Sequence, residues 1–282
     1  MKKASAGRSD DCPAGAFIMI DSFRQRVFNK RTNEKDLGVA MRLIFIRHAE
    51  PDYEMDSLTE KGFREAALLG ERVKSWKGEV DELYVSCLGR ARRTAEPVEA
   101  ALGKKAVVLD WLQEFRGVID EKYGTYQGVP WDLPPSYWTG LEQIYQKDSW
   151  FLSEPMRPVA GKPTVQEVYH ETCENLDALL KKHGYVREKG YYRFDEHNDD
   201  TIVLVCHMGI TFCMISYLLG LPFTPLVQGM FIPPSGVTVL NTEEVEPHIA
   251  SFRCQGIGDI RHLYTKGEPT SAKGYFAEVF QK

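Results

Sequence analysis

The chain has 282 residues, of which 43% are hydrophobic, 27% charged and 11% aromatic, and its net charge is −5. These values fit one large globular domain, or one domain with an insertion, and exclude a disordered chain. The acidic balance argues against a nucleic-acid surface, and no apolar run reaches the roughly 20 residues that span a bilayer. An anionic substrate would therefore be held by locally placed Arg or Lys. Six scattered cysteines, Cys12, Cys87, Cys173, Cys206, Cys213 and Cys254, form no CxxC pair and no zinc-site spacing. They read as reduced thiols of a cytoplasmic protein, with no metal and no cofactor implied.

Residues 1–40 differ from the rest. They carry eight Lys/Arg against five Asp/Glu, and their short apolar patch, Ala16 to Ile20, is cut off by Asp21. That patch is too short for a signal-peptide core, and the segment is expected to be a dispensable extension. From Met41 the chain alternates strand and helix. Leu43 to Ile46 is a continuous apolar run, expected to be a strand covered on both faces. Thr59 to Trp76 has helical apolar spacing, with Thr59 placed to cap it. Leu83 to Ser86 is a second strand. A helix follows from about Arg90 to Leu102, with Gly103 at its stop. Ala106 to Leu109 is a third strand.

The stretch 116–163 breaks this rhythm with six prolines and eight aromatics, among them Trp131 and Trp138. It is expected to be an insertion with its own short helices, acting as packing or as a lid that selects substrates. Thr201 to Cys206 is a fourth, β-branched strand running into a helix over Ile210 to Leu219. Gly236 to Asn241 and Ile249 to Arg253 read as later strands, antiparallel at an edge. The alternation predicts an α/β fold, a three-layer α/β/α sandwich with a mostly parallel central sheet.

In such a sheet, ligands bind beyond the carboxyl ends of the strands. The first strand ends in Arg47-His48, the second leads to Arg90, the third to Glu114 and the fourth to His207. Two guanidiniums, two imidazoles and one carboxyl suit phosphoryl transfer through a histidine. Arg forks match phosphoryl oxygens, a neutral imidazole is a competent nucleophile, and a carboxyl kept protonated by burial can give the leaving oxygen its proton. Asp110, Asp120 and Glu121 compete with Glu114 for that last role. A rival nucleophile is Cys87, which with Arg93 makes C-x5-R at a strand-to-helix turn, a spacing suited to cradling phosphate around a thiolate.

The blocks Leu43-Ile44-Phe45-Ile46-Arg47-His48-Ala49-Glu50, Leu58-Thr59-x-x-Gly62, Ser86-x-Leu88-x-Arg90-Ala91-x-x-Thr94-Ala95, Leu112-Gln113-Glu114 and Val205-Cys206-His207-Met208-Gly209 together resemble the histidine phosphatase superfamily. The resemblance covers about residues 41–265. It implies a phosphoglycerate mutase-like fold, in the mutase-type branch and akin to bacterial-type phosphatases. It also implies His48 as the phosphorylated nucleophile, Arg47, Arg90 and His207 around the phosphoryl group, and Glu114 as proton donor. The chain departs from the family pattern at Ala49 and Met208, which replace glycines. Glu54 stands where members often carry an Asn that contacts phosphate.

The expected activity is metal-independent hydrolysis of small phosphomonoesters through a phosphohistidine. Trp131 and Trp138 are expected to contact an aromatic or apolar leaving group. The alternatives are phosphoglycerate mutase-type transfer, which needs more cations in 116–163 than are present, and a non-catalytic phospho-ligand-binding module. The expected partner is a small phosphorylated metabolite, with no nucleic acid and no membrane; a homodimer is left open.

Overall fold

The computed structural model describes residues 41–125 and 128–273; the expectation for residues 1–40 lies outside them. The chain opens with strand β1 (Arg42–Arg47), then a small hairpin of β2 (Pro51–Asp52) and β3 (Ser57–Leu58). Helix α1 (Glu60–Val73) follows, and the Thr59 hydroxyl accepts the Gly62 N–H at 3.1 Å, the cap its sequence announced. Next come β4 (Glu82–Ser86), α2 (Gly89–Leu102) and β5 (Val107–Leu109). Gly103 ends α2 in the left-handed region, at φ 68°.

The described residues of 116–163 form short helical turns, among them α3 (Pro135–Trp138). They are pinned by Trp150, which is fully buried and whose ring lies 5.1 Å from Tyr169 and 5.2 Å from Phe223. Helix α4 (Val165–Lys182) then starts from a capping box in which Thr164 and Glu167 satisfy each other's backbone. A hairpin of β6 (Val186–Glu188) and β7 (Tyr191–Arg193) follows. The remaining elements are β8 (Thr201–Cys206), α5 (Met208–Leu219), α6 (Phe223–Gly229), β9 (Val237–Glu246), β10 (Ile249–Asp259) and α7 (Arg261–Tyr264).

One sheet holds eight of these strands in the order β5-β4-β8-β1-β9-β10-β7-β6. The core strands β5, β4, β8 and β1 are parallel, as the alternation of strand and helix predicts. From β9 onward every pairing is antiparallel. The expected edge position of β9 and β10 is therefore corrected. The β6–β7 hairpin extends the sheet beyond them, so β5 and β6 are its edges.

Side chains alternate across the sheet. Leu43, Phe45, Ile202 and Leu204 pack on one side, together with residues of α4, α5 and the insertion. Ile44, Ile46, Val203 and Val205 pack on the other, with α1 and α2. This is the three-layer arrangement. Helix α5 is buried along almost its whole length, which explains why its sequence is apolar on every face.

Candidate active site

The register of the parallel strands assembles the site. β1 and β8 pair residue for residue, Arg47 level with Cys206. The next residues, His48 and His207, therefore leave the sheet side by side, and their ring centroids lie 5.0 Å apart. On the other flank of β8, β4 ends at Ser86, whose hydroxyl lies 2.9 Å from His207 Nε2. Three residues on, at Gly89, α2 begins, and it carries Arg90.

Hydrogen bonds hold both imidazoles, and that of His48 fixes its tautomer. His48 Nδ1 lies 2.8 Å from the Ala49 carbonyl, so this nitrogen bears the proton and Nε2 keeps its lone pair. Burial, reinforced by the charges of Arg47 and Arg90, holds His48 well below the ordinary imidazole pKa. Ser86 Oγ accepts the Leu88 N–H at 3.3 Å and lies within hydrogen-bond distance of His207 Nε2. His207 Nδ1 is a buried atom with no partner. Burial also keeps His207 well below the ordinary value.

The guanidiniums are gripped from outside. Arg47 donates to the Ile232 carbonyl and to Met208 Sδ, and lies over the Phe231 ring at 5.4 Å. Burial lowers its pKa, yet a guanidinium stays charged at any working pH. Arg90 pairs with Asp56 at 2.8 Å and lies over the Tyr53 ring at 5.5 Å. Both Nε atoms are buried without a partner.

Glu114 reaches the same place from the segment after β5. Its Oε1 accepts the N–H of Phe115 at 2.8 Å and of Ile210 at 3.1 Å. The second bond exists because α5 starts at Met208, two residues before the predicted Ile210, which puts the Ile210 N–H in the unpaired first turn. Burial raises the Glu114 pKa, opposed by these N–H donors and by Arg47.

The sequence pattern of the histidine phosphatase superfamily (branch 1) matches residues 43–255, a span that holds all of these groups. The chain belongs to the histidine phosphatase superfamily. It is 24% identical over 159 residues to a 2,3-bisphosphoglycerate-dependent phosphoglycerate mutase of Bartonella tribocorum, covering 50% of this chain and 75% of the mutase. Among solved structures it shares its fold with a mycobacterial glucosyl-3-phosphoglycerate phosphatase, with a TM-score of 0.53 and 19% identity over 78% of this chain and 99% of that one. A phosphoserine phosphatase of Entamoeba histolytica gives a TM-score of 0.51 and 20% identity, covering 79% and 99%.

Within this histidine phosphatase superfamily member, the structure brings together Arg47, His48, Arg90, Glu114 and His207. Trp131 joins them: a Cβ on Gly209 would lie 2.7 Å both from its ring and from Glu114 Oε1. Trp138 instead meets the ring of Tyr145, at 6.1 Å between centroids. Glu54 is exposed in the β2–β3 turn, where its backbone N–H donates to Asp52 Oδ1 at 3.1 Å. The carboxylate that meets Arg90 is Asp56.

The rivals separate on geometry. Asp110 and Glu121 are exposed, and Asp120 pairs with Lys122. Burial and the neighbouring Asp110 push the Cys87 thiol up, away from a reactive thiolate, and Arg93 pairs with Glu96 at 2.7 Å.

Three supporting residues had no local signal or a partial one. Thr94, a fixed position of its block, accepts the Ala49 N–H at 2.9 Å and donates to the Arg90 carbonyl at 2.8 Å. Ser235, at φ 58°, donates its N–H to the His48 carbonyl at 3.1 Å and bonds His262 through its hydroxyl. Asp56 is the third. A cleft of about 990 Å³ lies elsewhere, at the far end of α5. There Arg187, Tyr192, Asp177 and Tyr217 satisfy one another through hydrogen bonds of 2.5 to 3.3 Å.

Proposed function

We propose that this protein is a phosphomonoesterase that works through a phosphohistidine on His48. The observation that carries the reading is a pair of orphaned buried donors, Arg47 Nε and Arg90 Nε, around two neutral imidazoles. Buried polar atoms without partners are costly, and a phosphoryl group would satisfy these. In the first step His48 Nε2 attacks phosphorus, the ester P–O bond breaks, and the leaving oxygen takes the proton from Glu114. In the second, the Glu114 carboxylate takes a proton from water, the water oxygen bonds to phosphorus, and the P–N bond breaks to release phosphate. The guanidiniums bear the charge that a metal carries in other phosphatases.

Hydrolysis is favoured over mutase transfer by the cations of 116–163. Three of these five, Arg116, Lys122 and Lys147, are each paired with a carboxylate, on Glu171, Asp120 and Asp148. They are poorly placed to hold a substrate carboxylate. Trp131, beside Glu114, suits a leaving group with an apolar face.

The test is p-nitrophenyl phosphate hydrolysis in excess EDTA, with acid-labile, base-stable phosphate trapped on the protein. Activity should survive EDTA and Cys87→Ser and vanish with His48→Ala. Activity lost with Cys87→Ser and kept with His48→Ala would refute the proposal.

A further inference from the structure

We propose that Asp56 is a positioning residue for Arg90, an inference that rests on the phosphatase reading above. The turn between β2 and β3 is closed by Asp52, whose Oδ1 accepts the N–H of Glu54 at 3.1 Å and of Met55 at 3.2 Å. This delivers Asp56 in the left-handed region, at φ 43°. Its carbonyl lies where a side chain on residue 89 would be, so Gly89 is the residue that lets the turn dock on α2. Its carboxylate then bridges the start of that helix. Oδ2 accepts the Gly89 N–H at 2.6 Å, and Oδ1 accepts from Arg90 Nη1 at 2.8 Å.

The same turn supplies Tyr53, whose ring faces the guanidinium. Arg90 is thus held at one nitrogen and on one face. The edge formed by Nε and Nη2 is the one that matches two phosphoryl oxygens, and Nε is buried without a partner. Asp56 fixes which edge of the fork meets the phosphoryl group.

A carboxylate near a phosphate also repels it, so the sign of the effect is diagnostic. If Asp56 only adds negative charge, removing it tightens phosphate. If it positions Arg90, removing it weakens phosphate. Asp56→Asn keeps an oxygen for the Gly89 N–H while removing the ion pair. The experiment compares the native protein, Asp56→Asn, Arg90→Ala and the double variant. The readouts are competitive inhibition by inorganic phosphate, KM and kcat on p-nitrophenyl phosphate, and Tm.

Asp56→Asn is expected to weaken phosphate inhibition roughly tenfold, to raise KM more than it lowers kcat, and to leave Tm nearly unchanged; added to Arg90→Ala it should have almost no further effect. Tighter or unchanged phosphate inhibition overturns the proposal. So does an effect that multiplies in full onto Arg90→Ala, or a phosphate loss that comes with a falling Tm. A native protein that neither hydrolyses p-nitrophenyl phosphate nor is protected from unfolding by phosphate would end the phosphatase reading, and this inference with it. An active native protein indifferent to Asp56→Asn would end this inference alone.

Discussion

Glu114 Oε1 occupies the space that a side chain on residue 209 would need: a Cβ on Gly209 would lie 2.7 Å from it and 2.7 Å from the Trp131 ring. The missing side chain lets the carboxyl reach the first turn of α5 and take the Ile210 N–H. Gly209→Ala should therefore displace Glu114 or Trp131. We expect kcat/KM on an alkyl phosphate to fall at least about tenfold, by loss of a positioned acid, while the fold is retained. Steady-state kinetics beside circular dichroism checks this, and unchanged kinetics would show that Glu114 does not act from this position.

The protonation states predict a pH profile and a dependence on leaving group. His48 must be neutral to attack, and burial beside Arg47 holds its pKa well below the ordinary imidazole value. Activity should therefore persist into acid, with the acid limb of kcat/KM below about pH 6.5. Glu114 must be protonated, and its raised pKa moves the alkaline limb above the usual carboxyl range. Glu114→Gln should cost roughly a hundredfold or more on alkyl phosphates, whose leaving oxygen needs a proton. The loss should be much smaller on p-nitrophenyl phosphate. Equal losses on both would remove Glu114 from the role of acid.

Stability should carry its own pH signature from Glu65. This fully buried carboxyl accepts the Glu50 N–H at 2.8 Å, just behind the nucleophile, and burial raises its pKa to about 7. A folded-state pKa above the unfolded one means that its favourable contribution is present in full below about pH 4.3 and is lost as pH rises through about 7. The difference is on the order of 3 kcal/mol between the two ends. Glu65→Gln keeps an acceptor for Glu50 and cannot ionise. Denaturant unfolding at pH 5 and pH 8 should show a smaller fall for this variant than for the native protein.

Trp131→Ala should change substrate preference more than it changes turnover of a small aryl phosphate. The ring packs on Gly209 beside the proposed acid, where a leaving group departs. Trp138→Ala serves as the comparison, because its ring contact is with Tyr145. A panel of aromatic, aliphatic and sugar phosphates measures the effect. If the two variants lose every substrate in equal proportion, the insertion contributes packing and not selection.

Much of this protein was legible in the sequence because the information was local. Short β-branched apolar runs bounded by polar residues read as strands covered on both sides, and β1 and β8 are that. Thr59 and Gly103 mark helix ends through their own backbone chemistry. The five motif blocks named the family, which the match over residues 43–255 bears out. Thr164-x-x-Glu167 is an equally local signal for the start of α4.

The tertiary structure decided whatever depends on register and on distant approach. That His48 and His207 stand 5.0 Å apart follows from the pairing of Arg47 with Cys206, a relation between segments about 160 residues apart in sequence. That Asp56 and not Glu54 meets Arg90 depends on a left-handed residue and on the space Gly89 leaves. That β9 and β10 lie inside the sheet depends on a later hairpin adding to its edge. Sequence spacing determines what the chain can do to its near neighbours; only packing brings the groups of one site together and sets their burial, and burial sets their protonation.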